Sequence, residues 1–426
     1  MNSVLLVLTY VLFLLPKINL VAVGNFNAGL RVDDVIIALA AAVLVGARFS
    51  GGPLVIRFSR AERWFWLFCA ACLVSAVVNS FVFGRGSILF PLRFLEYFVF
   101  FYIGWSLSSL GKDTARKLLM TVFWANVAVA AVQLTGLIGG FTVRGYTANV
   151  SERVVGLTSG PWELGVLLNL ATCVVLAQRT SVMKKALVFS IATLLILANG
   201  SRMSLLAQVA VLGASILFSG GVVKSLKAAL FAAPAIALVM VLFAGSGVAT
   251  RSASLASSEN VSLLVDSFNH VKASEKAPSW DELGVLSRDD GVDASWSMRG
   301  PKWIYSLKMW ALSPMNMVVG VGPGTFGNAL DGGWLRLLTE TGIVGISFFI
   351  LFMLSIFKVG GAMRLAVVAV SVNMLFIDIY MAYKVMSVFL FLCGFLLARG
   401  AVQSSVGMAK SRSSVSSVAP NMEVSR

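Results

Sequence analysis

Residues 320–345 read GVGPGTFGNALDGGWLRLLTETGIVG, and two very different folds compete for them. Gly322, Gly324 and Gly327 spell GxGxxG, the spacing of a dinucleotide-binding turn. Such a turn needs a strand before it, a helix opening at its third glycine and an acidic residue about 20 positions on, all within a soluble βαβ unit. The flanking residues exclude that context. Upstream, RGPKWIYSLKMWALSP (299–314) predicts a short amphipathic helix, with Pro301 in its first turn and Pro314 as its stop. Trp303, Leu307, Trp310 and Ala311 share one face of it, which suits a helix lying on a membrane with its tryptophans at headgroup depth. Downstream, from Trp334, an apolar run long enough to cross a bilayer begins. The glycines therefore predict a tight bend at a membrane surface that lets a substrate approach the backbone, and a nucleotide cradle is excluded.

The rest of the chain agrees. Of 426 residues, 58% are hydrophobic and 12% charged, whereas soluble chains carry about 25% charged residues. Apolar runs fall near residues 3–22, 33–49, 64–83, 89–110, 118–138, 161–178, 186–199, 203–219, 228–246, 334–357, 365–382 and 385–398. The expectation is an all-α polytopic membrane protein of about 12 transmembrane helices. Residues 1–246 would hold helices one to nine, 247–333 one long external loop, 334–398 the last three helices, and 399–426 a disordered, Ser-rich and basic cytoplasmic tail. Basic residues cluster between alternate runs, for example Arg57, Arg60 and Arg63, then Lys112, Arg116 and Lys117, then Lys184 and Lys185. By the positive-inside rule those loops are cytoplasmic, as are both termini. The net charge of +15 thus reports topology, and nucleic acid is not expected as a partner.

Cys69, Cys72, Cys173 and Cys393 lie in apolar runs, where a thiol acts as a small hydrophobe, so neither a disulfide framework nor a CxxC metal site is expected. The N-terminal run lacks a basic flank and a small-residue cleavage site and reads as a retained first helix. The sequence LILANGSRMSLLAQ predicts that two helices meet at residues 199–202, on the external side.

Charges beside membrane spans are costly and face a cavity or one another. On the external side these are Arg93 with Glu96, Arg144, Arg153, Glu163, Arg202, Arg299, Lys302, Asp331, and Arg336 with Glu340. Arg93–Glu96 and Arg336–Glu340 are spaced to pair along one helix. Lys302 can snorkel. As a set, external arginines beside a membrane cavity suit an anionic, lipid-linked ligand, because guanidinium is always charged and grips phosphate oxygens in pairs.

Four stretches, RVVGLTSGPWELG, LANGSRMSLLA, MRGPKWIYSLKMWALSPMNMVVGVGPGTF and DGGWLRLLTETGIVGI, resemble in order and spacing the bacterial O-antigen polymerase and O-antigen ligase superfamily. The resemblance covers residues 150–350 and implies a GT-C-like membrane glycosyltransferase in the bacterial inner membrane. Its implied substrate is an undecaprenyl-pyrophosphate-linked oligosaccharide for O-antigen, capsule or exopolysaccharide, polymerised at the periplasmic face. Membrane lipids, a chain-length regulator and a flippase are its implied partners. Ligases of this kind carry a histidine near the position of Asp331, whereas the single histidine here, His270, lies far upstream. That difference favours the polymerase over a ligase acting on lipid A-core.

Transfer from a lipid pyrophosphate requires neutralisation of the leaving group and orientation or deprotonation of the acceptor hydroxyl. By the resemblance Arg202 and Arg299 take the first role, and Asp331 the second by position. Arg153, Arg144, Glu163, Lys302, Arg336, Glu340 and Arg93 are expected to bind substrate. No cofactor is expected, and no metal: RDDGVD (288–293) reads as a solvated acidic turn. The rival class is a transporter or flippase of the same lipid-linked glycan, which internal repeats and midplane charges would favour.

Overall fold

The computed structural model describes residues 1–16, 18–21, 30–49, 59–83, 88–142, 145–147, 153–218, 241, 258–272, 294–327 and 330–416. These form α1 (Asn2–Leu14), α2 (Val32–Phe49), α3 (Arg60–Phe83), α4 (Leu89–Leu107), α5 (Thr114–Leu134), α6 (Pro161–Ala177), α7 (Val182–Asn199) and α8 (Arg202–Leu217). They continue as α9 (Ser258–His270), α10 (Ala294–Ala311), α11 (Pro314–Val319), α12 (Gly333–Phe357), α13 (Gly361–Asn373) and α14 (Tyr383–Ser416). Two small antiparallel hairpins are the described strand structure, β1 (Asn19–Val21) with β2 (Leu30–Arg31) and β3 (Gly140–Thr142) with β4 (Gly145–Thr147).

Among the described residues, five helices are long and apolar enough to cross a membrane: α3 over Arg60–Phe81, α5, α7, α12, and α14 over Tyr383–Gly400. α1, α6, α8 and α13 are apolar but shorter. The outward faces support an apolar solvent. Phe81, Leu187 and Leu354 are exposed, while the opposite faces of the same helices bury Phe65, Phe189 and Phe352.

The main core joins α1 to α6 and α8 with α12, α13 and α14 and is built on aromatic rings. Phe65 stacks on Phe98 at 4.5 Å and meets Phe352 edge-on at 5.0 Å. α4 and α14 cross on glycines: a Cβ on Gly104 would strike the Phe391 carbonyl, and one on Gly394 the Phe101 carbonyl. Small residues at such crossings let backbones touch, which strengthens van der Waals packing between helices in lipid. A buried polar network joins α6, α8 and α13. In it Asn169 Nδ2 donates to Gln208 Oε1 (2.7 Å), Asn373 Nδ2 to Asn169 Oδ1 (3.0 Å), and Ser204 Oγ to Asn373 Oδ1 (3.0 Å).

Several expectations need correction. Pro301 lies inside α10, which opens at Ala294, and Pro314 begins α11 after α10 has ended at Ala311. Trp303, read as facing the membrane, turns inward: its indole donates to Leu330 O at 3.0 Å and its ring lies 5.6 Å from that of Phe376. Tyr305 and Met309 fill a separate small core with Val271, Val321, Phe326 and Leu330. The run 365–382 is not one helix, because α13 ends at Asn373 and a turn and a 3-10 segment (Ile379–Met381) precede α14. α14 itself runs past residue 399 to Ser416. The run 228–246, residue 241 apart, and the motif 288–293 lie outside the described residues.

Candidate functional site

The glycine loop has a structural partner. α12 is broken at Gly342, whose φ of 67° and ψ of −175° are not helical. The break frees carbonyls that the next turn would otherwise bond. The loop supplies replacements: Val321 N donates to Thr339 O (2.9 Å) and Gly322 N to Glu340 O (3.1 Å). Ser75 Oγ on α3 also donates to Glu340 O (2.9 Å), and Asn79 Nδ2 to Gly320 O (3.0 Å). Gly320, Gly322, Gly324 and Gly327 all have positive φ. A Cβ on Gly320 would collide with the Glu340 carbonyl, and one on Gly324 with the Phe90 ring. What approaches these glycines is the protein's own broken helix and an aromatic ring.

Beyond the loop, Asp378 fixes the segment that carries Asp331. Its Oδ2 accepts from Leu330 N (2.9 Å), Asp331 N (3.3 Å) and Arg336 Nη1 (2.9 Å), and its Oδ1 from Gly332 N (3.0 Å). Asp331 is held at φ 58°, a left-handed conformation that aspartate tolerates better than most side chains. Its own carboxylate stays half-exposed and receives Arg299 Nε at 3.1 Å. Lys302 lies within the field of this pair. Desolvation pushes its pKa below the ordinary lysine value, and the charges of Asp331 and Asp378 partly oppose that.

Arg336 and Glu340 pair as their spacing predicts, with Arg336 Nε 3.1 Å from Glu340 Oε1. Both are fully buried beneath the glycine loop, and Arg336 also donates to Gly327 O. They brace the loop and do not line the neighbouring cavity.

That cavity, of about 890 Å³, lies between α2, α4, the start of α6, the 377–384 turn and Asp331. It collects Asp331, Glu163 and Arg93 from the sequence-predicted set, and adds Arg31, Asp33, Asp34, Glu96, Asp378 and Lys384. Its apolar wall includes Ile37, Ala38 and Ala41 on α2 and Leu92, Leu95 and Val99 on α4. Arg93 Nη1 donates to Glu96 Oε2 (3.0 Å), the predicted pairing, and also to Asp34 Oδ1 (2.8 Å). Arg31 donates to the same Asp34 oxygen through Nε (3.1 Å) and Nη2 (2.8 Å), and its guanidinium sits 4.8 Å from the Tyr383 ring centre. Glu163, in the first turn of α6, accepts from Ser159 N (2.9 Å) and Ser159 Oγ (2.7 Å). Lys384 is buried and donates to Leu157 O at 2.6 Å.

The other predicted residues lie elsewhere. Arg153 grips the end of α7, with Nε on Asn199 O (2.8 Å) and Nη2 on Gly200 O (3.0 Å), where a cation meets the negative end of the helix dipole. Gly200 turns left-handed (φ 67°) at the junction read from sequence, and Arg202 opens α8 just after it. Neither arginine lines the cavity. Arg144 lies outside the described residues. Sequence reasoning missed Asp378, Lys384, Arg31, Asp33 and Asp34; the available signal was charge in otherwise apolar runs, DDVIIALAAAV and NMLFIDIYMAYK. Comparison with known proteins finds no family model that matches this chain and no curated protein that does.

Proposed function

We propose that this protein is a membrane glycosyltransferase of about 12 transmembrane helices and GT-C-like form, which lengthens undecaprenyl-pyrophosphate-linked oligosaccharides at the periplasmic face of the inner membrane. The observation that carries this reading is the cavity of about 890 Å³, with apolar residues of α2 and α4 on one wall and Arg93, Glu163, Asp331 and Lys384 on others. An amphiphile with a long apolar chain and a charged, polar head matches such a lining. In the proposed step, the acceptor hydroxyl oxygen attacks the anomeric carbon of the lipid-linked donor. The bond from that carbon to the pyrophosphate oxygen breaks, and the electron pair leaves with undecaprenyl pyrophosphate. Asp331 orients the hydroxyl and takes up its proton. Arg299, paired to Asp331 at 3.1 Å, and Arg93 offset the charge that develops on the leaving group.

Purified protein incubated with lipid-linked repeat units is expected to yield a ladder of longer lipid-linked chains. Asp331→Ala and Arg299→Ala are each expected to abolish the ladder while folded protein is retained. Passage of the units across a liposome bilayer without lengthening would instead identify a transporter.

A further inference from the structure

At the α2–α4 end of the cavity, hydrogen-bond acceptors outnumber the donors that reach them. Asp33 is 4% exposed, lines the cavity, and among the described residues neither carboxylate oxygen has a partner in hydrogen-bond geometry. Arg31 Nε is 3.4 Å from its Oδ1, an ion-pair contact. Arg31 spends its shorter bonds on Asp34. Glu96 is in a similar state: Oε2 accepts from Arg93, while buried Oε1 has no hydrogen-bond donor and lies 3.6 Å from Arg31 Nη2. Three buried carboxylate oxygens, on cavity-lining residues of two helices, thus lack a hydrogen-bond donor among the described residues. A buried acceptor left unmade forfeits its hydration without a replacement bond, so such a group persists where a ligand or water completes it.

The chemistry of the missing partner follows from the charges. Two guanidiniums already stand against three carboxyl groups, of which Asp34 and Glu96 also hydrogen-bond each other, so charge is balanced and a cation would sit beside Arg31 and Arg93. Tyr383, whose buried hydroxyl in the same lining also lacks a partner among the described residues, offers one O–H, and beyond it these acceptors lack neutral O–H or N–H. The cavity also continues from this end along the apolar residues Ile37, Ala41, Leu92 and Val99.

We propose that Asp33 and Glu96 form a sugar-binding subsite, in which ring hydroxyls of an amphiphile donate to Asp33 Oδ1 and Oδ2 and to Glu96 Oε1 while its apolar chain runs between α2 and α4. That the natural occupant is a lipid-linked glycan rests on the glycosyltransferase reading; the hydroxyl-binding subsite itself does not.

The test uses the full chain in lipid nanodiscs, titrated with dodecyl maltoside and, in parallel, with dodecyl octaethylene glycol ether, which has the same tail and a head with a single hydroxyl. Tryptophan fluorescence reports occupancy, since Trp162 lines the cavity. The maltoside is expected to saturate at lower concentration than the ether, and Asp33→Asn and Glu96→Gln are each expected to weaken it by about tenfold, as loss of a hydrogen bond to a charged acceptor implies. Equal response to the two amphiphiles, or unchanged maltoside affinity in both variants, overturns the subsite. The comparison of the two probes on the unaltered protein decides the matter even where a variant does not fold. Selective maltoside binding without any glycan ladder keeps the subsite and removes the polymerase reading. A ladder without selective maltoside binding does the reverse.

Discussion

Asp331 combines a positive φ with a half-exposed carboxylate, and the two properties can be separated by substitution. Glycine adopts φ 58° without strain, whereas an alanine there carries a left-handed cost of about 1–2 kcal/mol. Asp331→Gly is therefore expected to keep its thermal midpoint while losing the glycan ladder, and Asp331→Ala to lose the ladder and stay folded with a lowered midpoint; a Gly variant that still polymerises would clear the carboxylate of a chemical role. Arg336 behaves differently. Replacing it by Ala strands Asp378 and Glu340 as buried charges, a loss of about 3–5 kcal/mol, so the expected readout is loss of folded protein in detergent extracts. Lys302 gives a pH signature. Folding lowers its pKa, so the unfolded chain binds the extra proton, and stability rises with pH as the ordinary value near 10.5 is approached from below. Lys302→Gln should flatten that slope of thermal midpoint against pH. At this scale, pairs set by helical spacing, Arg93 with Glu96 and Arg336 with Glu340, were legible in the sequence. Asp378 was not, because its amide partners lie 46–48 residues upstream and one chain offers no spacing rule that joins them. The same lack hid the contact of Arg31 with Glu96.

At the scale of elements, most helices were legible because their apolar runs are long and end near charge, glycine or proline, although the run 3–22 holds a helix only to Leu14, with β1 following at Asn19–Val21. The junction at residues 199–202 is the plainest case, with Gly200 as the left-handed cap. What hydropathy could not register was a change of backbone inside an apolar run. Gly342 breaks α12 while the side chains around it stay apolar, and 374–382 turns for the same reason despite its hydrophobic composition. Close helix approach is equally silent in a hydropathy profile, although Gly104 and Gly394 are where it occurs. Gly104→Val would drive a branched side chain into the Phe391 carbonyl, which cannot rotate away. The expected result is a fall of about 3 kcal/mol in stability, near the top of the range for overpacking, seen as a lower thermal midpoint; an unchanged midpoint would place α4 and α14 farther apart.

For the molecule as a whole, the cavity draws on segments spread along the chain: β2 and the start of α2, α4, the 159–163 turn, Asp331 and the 377–384 turn. Composition revealed the apolar solvent and the sequence motifs pointed to Asp331 and Arg299, but which charges share one space depends on packing of helices distant in sequence. That is why Arg153 and Arg202, placed by motif with the site, lie at the α7–α8 junction and outside the cavity lining. The glycine loop carries a last consequence, measurable by hydrogen–deuterium exchange. Its Val321 and Gly322 amides are bonded to carbonyls of a membrane-facing helix and not to solvent, so their exchange is tied to the opening of α12. A segment written as a loop should hold its protons as long as the helix beneath it, and Gly342→Ala, by closing the break, should release them.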